Sequence, residues 1–170
     1  MGSVVAFEQL ADLRDQLRAN GSRIVLTNGH FDLLHTGHLR YLRLASTTGD
    51  CLIVGVNNDV TTTARKGPRR PIFPEKERAE LIASLACVDY AVIFREETAH
   101  RLIEILKPDV YVKGGDYTID PNEPGTPLPE ASAVQEYGGK VQILVLESGQ
   151  STSAIEQRII DRWRLYGTDS

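Results

Sequence analysis

Two histidines stand three residues apart in the run Thr27-Asn28-Gly29-His30-Phe31-Asp32-Leu33-Leu34-His35-Thr36-Gly37-His38. At a helix start this spacing lets both imidazoles face one side. Gly37 between them leaves the backbone open to a ligand. The first turn of a helix adds unpaired N–H groups and a partial positive charge. Together these make an anion site with two imidazole donors, which suits phosphate. Zinc would need a further ligand from His30 or Asp32, and the pair lacks the four-residue spacing of a helical zinc pair. A second group is the basic run Arg65-Lys66-Gly67-Pro68-Arg69-Arg70, either another phosphate site or a solvated loop. In Lys113-Gly114-Gly115-Asp116 the glycines let a flat ring lie against backbone, and Asp116 could accept from a hydroxyl. Ser151-Thr152-Ser153 open a last helical run. Ser153 with Glu156 also matches a capping box, so that run can serve structure and phosphate at once.

These residues need a frame. Short apolar runs at 23–27, 51–56, 90–94, 109–112 and 140–146 read as buried strands. Helical spacing falls at 7–19, 37–48, 74–86, 97–106, 129–137 and 151–164. Alternation of this kind predicts an α/β fold, a five-stranded parallel, doubly wound, Rossmann-like sheet with helices on both faces. Ligands then bind beyond the carboxyl ends of the strands, where the strand order reverses. The histidine loop follows the first predicted strand, the basic run follows the second, and Lys113 ends the fourth. The stretch 117–129, rich in Pro and Gly, reads as a surface flap.

A length of 170 residues suits one domain, taken as 1–170. Net charge is −4, which argues against a nucleic-acid-coating surface. Cys51 and Cys87 lie in apolar runs and read as reduced core residues, as in a cytoplasm. No apolar stretch approaches the roughly 20 residues of a membrane span. The start of the chain lacks a signal-peptide pattern, and Ala6 breaks a myristoylation motif.

The runs GHFDLLHTGH (29–38), GVNNDV (55–60), 65–94, KPDVYVKGGDY (107–117) and STSAI (151–155) occur in an order that resembles one family. It is the D-glycero-β-D-manno-heptose 1-phosphate adenylyltransferases, in the cytidylyltransferase-like branch of the HxGH nucleotidyltransferases. The resemblance spans about 20–165. It implies that a sugar 1-phosphate oxygen attacks the α-phosphorus of ATP and pyrophosphate leaves, with Mg²⁺ arriving on the triphosphate. It assigns His35 and His38 to the ATP phosphates, with His38 at the transition state, and Lys66 to phosphate as a third catalytic group. Arg69 and Arg70 fall beside the sugar phosphate. Asp32 is a candidate for substrate or metal, or for capping the turn. His30, Phe31, Lys113, Gly114, Asp116, Ser151, Thr152 and Ser153 fall to the nucleotide. The implied product is ADP-heptose for lipopolysaccharide, made by a cytoplasmic homodimer. Relatives often carry a sugar kinase as well, so the expectation for this sequence is a stand-alone form.

The match has departures. His30 stands where the family usually has Cys or Thr. Leu146 replaces the Arg of cytidylyl relatives, and Gly115-Asp116-Tyr117 replaces their Asp-Asp-Trp. Both differences point to ATP over CTP. The alternatives are a cytidylyltransferase for glycerol 3-phosphate or another phospho-alcohol, and a nucleotide-binding regulatory module without turnover.

Overall fold

The computed structural model of the protein describes residues 2–120, 122–144 and 152–166. Its strands are β1 (Ser3–Val5), β2 (Ile24–Gly29), β3 (Cys51–Asn57), β4 (Tyr90–Phe94), β5 (Val110–Gly114), β6 (Tyr117–Thr118), β7 (Thr126–Pro127) and β8 (Lys140–Leu144). The helices are α1 (Leu10–Ala19), α2 (Thr36–Ser46), α3 (Asp59–Lys66), α4 (Glu75–Ala83), α5 (His100–Leu106), α6 (Ala131–Glu136) and α7 (Thr152–Tyr166). Six strands form one parallel sheet in the order β1-β4-β3-β2-β5-β8.

The α/β class and the parallel sheet agree with the sequence reading, but five expected strands become six. The added β1 has three residues and pairs with β4 in the register Ser3↔Tyr90. Three half-exposed residues carry too little periodicity to register as a strand. Helix α3 was also unexpected, because Thr61, Thr62 and Thr63 are poor helix formers. Its start is fixed by tertiary context and by Asn58, whose Oδ1 accepts from the Thr61 N–H at 2.9 Å. The stretch 117–129 is not a simple surface flap. It folds back through a β6–β7 ladder, and Leu128 is buried in the core.

Alternate residues of each strand feed two cores, as a sheet covered on both faces requires. Ile24, Leu26 and Ile53 pack with Leu13 of α1, Leu102 of α5 and Val134 of α6. Val25, Leu52 and Val54 pack with Leu42 of α2 and Ile82 of α4. Cys51 and Cys87 are both free thiols. Strand order reverses at β2, which has β3 on one side and β5 on the other. The loops leaving β2, β3 and β5 therefore converge on one crevice.

Candidate active site

That crevice is a cleft of about 1200 Å³. A typical small-molecule site measures roughly 300–1,000 Å³, so the cleft lies just beyond the upper end of that scale. The cleft is lined by His30, Phe31, Asp32 and His38 from the β2–α2 segment, by Lys66, Arg69 and Arg70 after β3, and by Lys113 and Gly114 at the end of β5. Thr152 and Ser153 of α7 also line it. Asp116 does not. It is exposed, and its backbone carbonyl accepts from the Thr126 N–H at 2.8 Å. Ser151 and Leu146 lie outside the described residues.

Local geometry explains the histidine loop. His35 is extended (φ −142°, ψ 171°) and caps α2, its Nδ1 accepting from the His38 N–H at 3.4 Å. That bond requires a neutral ring with its proton on Nε2. The His35 and His38 rings stack with centroids 3.9 Å apart. His35 does not itself line the cleft; it backs His38, which does. Phe31 adopts φ 47°, a left-handed conformation that is strained for a bulky residue. Its ring meets His38 edge-on at 5.3 Å and lies over Gly29, where a Cβ would sit 3.1 Å from the ring. Gly29 therefore lets the aromatic ring fold back and brace His38.

The imidazoles are held neutral. His38 is pushed down to about 4 by burial and then by the neighbouring His35, against a smaller upward pull from the Leu33 backbone. Its Nδ1 is buried without a hydrogen bond among the described residues. His30 is also pushed down to about 4, by burial and then by the charges of Lys66, Arg78, Lys113 and Arg65. Its Nδ1 shares a 3.0 Å hydrogen bond with the Thr62 hydroxyl. Burial lowers His35 in the same direction. An incoming polyphosphate would offset the same cationic field that lowers His30.

The basic run divides. The Arg70 guanidinium donates to Asp32 Oδ2 at 2.6 Å and also pairs with Glu156 of α7. Asp32 Oδ1 accepts from the Ile72 N–H at 2.6 Å and the Phe73 N–H at 3.3 Å. The Asp32 carboxylate is thus occupied in capping and holding the loop, and Arg70 is neutralised by two carboxylates. Glu156 pairs with Arg70, and Ser153 lies inside α7, which starts at Thr152. Arg65, Lys66 and Arg69 are exposed and carry no ion pair among the described residues. Lys66 ends α3, where Gly67 (φ 100°) stops the helix, and it is not in a bare loop as expected.

Several positioning residues escaped the sequence reading. Arg78 of α4 is fully buried and ties three segments together. Its Nη1 donates to the His30 carbonyl at 2.5 Å, its Nε to the Phe73 carbonyl at 2.9 Å, and its Nη2 to Asp59 at 2.7 Å. An arginine one turn before Ile82, on the buried face of α4, was the available signal. Tyr41 of α2 donates to the Val112 carbonyl at 3.0 Å and accepts from Thr27 at 2.6 Å, which fixes α2 against the strands. Asn28 Oδ1 accepts from Lys113 Nζ at 2.6 Å and from the Tyr111 hydroxyl at 2.7 Å. Burial lowers Lys113, against the opposing charge of Glu130. Among the described residues no group of three or more His, Cys, Asp or Glu side chains could hold a metal ion. Nor is any described helix long and apolar enough to cross a membrane.

The model of the cytidylyltransferase-like family matches residues 26–158. The chain belongs to the cytidylyltransferase-like family. Among curated relatives it is similar to the bifunctional protein HldE of Syntrophotalea carbinolica, 46% identical over 92% of this chain and 31% of that protein. HldE of Pseudomonas aeruginosa is 45% identical over 94% of the chain and 32% of its own length. The chain thus spans about a third of the curated relatives it matches. Among solved structures, a lipopolysaccharide core biosynthesis protein from Thermoplasma volcanium is 33% identical. It covers 76% of this chain and 100% of its own, with a TM-score of 0.59. A pantoate–β-alanine ligase from Francisella tularensis, 13% identical with a TM-score of 0.59, shares the fold alone.

Proposed function

We propose that residues 1–170 act as one cytoplasmic nucleotidyltransferase unit that moves AMP from MgATP to a heptose 1-phosphate, giving ADP-heptose and pyrophosphate. The observation that carries the reading is the switch-point cleft. There His38, stacked on His35 behind it, shares one cavity with Lys66 and Arg69, which carry no ion pair among the described residues. The similarity to HldE over nearly the whole chain supports the choice of acceptor.

The acceptor phosphate oxygen attacks the α-phosphorus in line, forming one P–O bond as the bond to pyrophosphate breaks. The protein needs no covalent intermediate; it supplies alignment and charge stabilisation. A neutral imidazole of His38 donates to the α-phosphate oxygens, and His35 holds that ring by stacking. Lys66 and Arg69 meet phosphate charge, while Arg70, fixed by Asp32, shapes the loop that carries them. His30, Phe31, Lys113, Gly114, Thr152 and Ser153 surround the nucleotide. Asp116 and Ser151 complete its site in the same proposal, Asp116 through movement of its exposed side chain. Mg²⁺ enters as part of MgATP, carried by phosphate oxygens. A homodimer is the proposed assembly, checked by light scattering.

The test is to incubate the purified chain with MgATP and heptose 1-phosphate, and to measure pyrophosphate and ADP-heptose together. Equimolar release of both is expected. Pyrophosphate without a sugar nucleotide, or neither product, overturns the reading.

A further inference from the structure

Part of the cleft is built by residues that phosphate chemistry leaves unused. Glu130, at the start of α6, is only 3% exposed and still lines the cleft. Its Oε1 accepts from the Ala99 N–H at 3.0 Å, at the entrance of α5. Among the described residues its carboxylate makes no other hydrogen bond and no ion pair. The Lys113 ammonium feels its charge but is bonded to Asn28.

The Glu130 oxygen that Ala99 does not occupy is open to a hydrogen-bond donor in the cleft. Phosphate cannot be that donor, because like charges repel. The cleft is also polarised. Its exposed cations, Arg65, Lys66 and Arg69, come from the end of α3 and the segment after it. Lys113 stands at the end of β5 bonded to Asn28, and Glu97 and Glu130 come from the segments leading into α5 and α6. The ligand that fits such a cleft is a phosphorylated polyol, with charge at one end and neutral hydroxyl donors at the other.

Resting on the function proposed above, we propose that Glu130 is a specificity-determining residue that accepts a hydrogen bond from a ring hydroxyl of the acceptor sugar phosphate. The segment that carries it, running from β5 through β6 and β7 to α6, gives the cleft Tyr117, Thr126 and Pro129 as well. Beyond Tyr117 that segment lies between the motif runs at 107–117 and 151–155. The ribose of ATP is the other source of ring hydroxyls, and the assay separates the two.

Glu130→Gln keeps a carbonyl oxygen for the Ala99 N–H, so a purely structural role predicts no kinetic change. Loss of a charge-assisted hydrogen bond predicts a rise of roughly tenfold to a hundredfold in KM for heptose 1-phosphate. KM for ATP should stay within about twofold, and so should kcat. As a second measurement independent of the variant's folding, the wild-type chain should lose a similar factor with one deoxy analogue of the acceptor. In Glu130→Gln that analogue should lose no more. Unchanged acceptor KM in a folded variant overturns the assignment, as does a rise confined to ATP or the absence of any sensitive hydroxyl. A wild-type chain that turns over no sugar 1-phosphate overturns the function reading itself, and Glu130 with it. An active wild type with an indifferent variant overturns only Glu130.

Discussion

Acidification should destabilise this fold through its imidazoles, by an amount the site geometry bounds. His30 and His38 are each held at about 4 in the native state, whereas an unfolded histidine titrates near 6.5. Below that pH the unfolded chain binds protons that the native chain refuses. Stability is therefore intact above about pH 6.5 and is lost as pH falls toward 4. Within that window each histidine costs about 1.4 kcal/mol per pH unit. From pH 7 to pH 5 two such rings lose at most about 3.7 kcal/mol. Partial solvent access to both rings brings the expected loss to about 3 kcal/mol. His35, lowered in the same direction, adds to it. The assay is urea unfolding at pH 7, 6 and 5, on the wild type and on the double variant His30→Gln/His38→Gln, which keeps polar groups but cannot titrate. The wild type should lose about 3 kcal/mol more than the double variant across this range. Parallel stability curves would refute the claim that these rings are buried neutral.

Two further perturbations follow from the site. His38→Ala should fold normally and lower kcat by roughly 10²–10³, because the donor acts on the transition state. Steady-state kinetics with a circular dichroism control decides it, and near-wild-type turnover by a folded variant removes His38 from the chemistry. Arg78→Met removes three hydrogen bonds and leaves the His30 and Phe73 carbonyls without their donor. It should destabilise the fold by about 2–4 kcal/mol, because two carbonyls are left unsatisfied while the Asp59 side chain stays partly exposed, measured by urea midpoint. A loss under 1 kcal/mol would show that Arg78 does not tie the loops together.

The frame of the site was legible because its signals are local. Short continuous apolar runs such as 51–56 and 90–94 fit largely buried strands, and the helices between them favour parallel pairing. The position of His35 and His38 after β2, and of Lys113 at the end of β5, followed from that order. Other features depend on contacts between distant residues. Three residues of β1 have meaning only beside β4, and α3 forms despite its three threonines because Asn58 and the sheet end hold it. The fate of Arg70 could not be read from a basic run, since Asp32 lies 38 positions away in the chain. Arg78 and Glu130 resemble ordinary surface charges in one dimension. Their burial against His30 and Ala99 is a property of the packed molecule.

Donor and acceptor choice tests the central claim most directly. kcat/KM should be measured for ATP with heptose 1-phosphate and for CTP with glycerol 3-phosphate, on the same preparation. A base pocket rejects the wrong edge by leaving polar groups unpaired, at roughly 1–3 kcal/mol each. The account predicts that ATP with heptose 1-phosphate is faster by roughly tenfold or more. Faster turnover of CTP with glycerol 3-phosphate would contradict it.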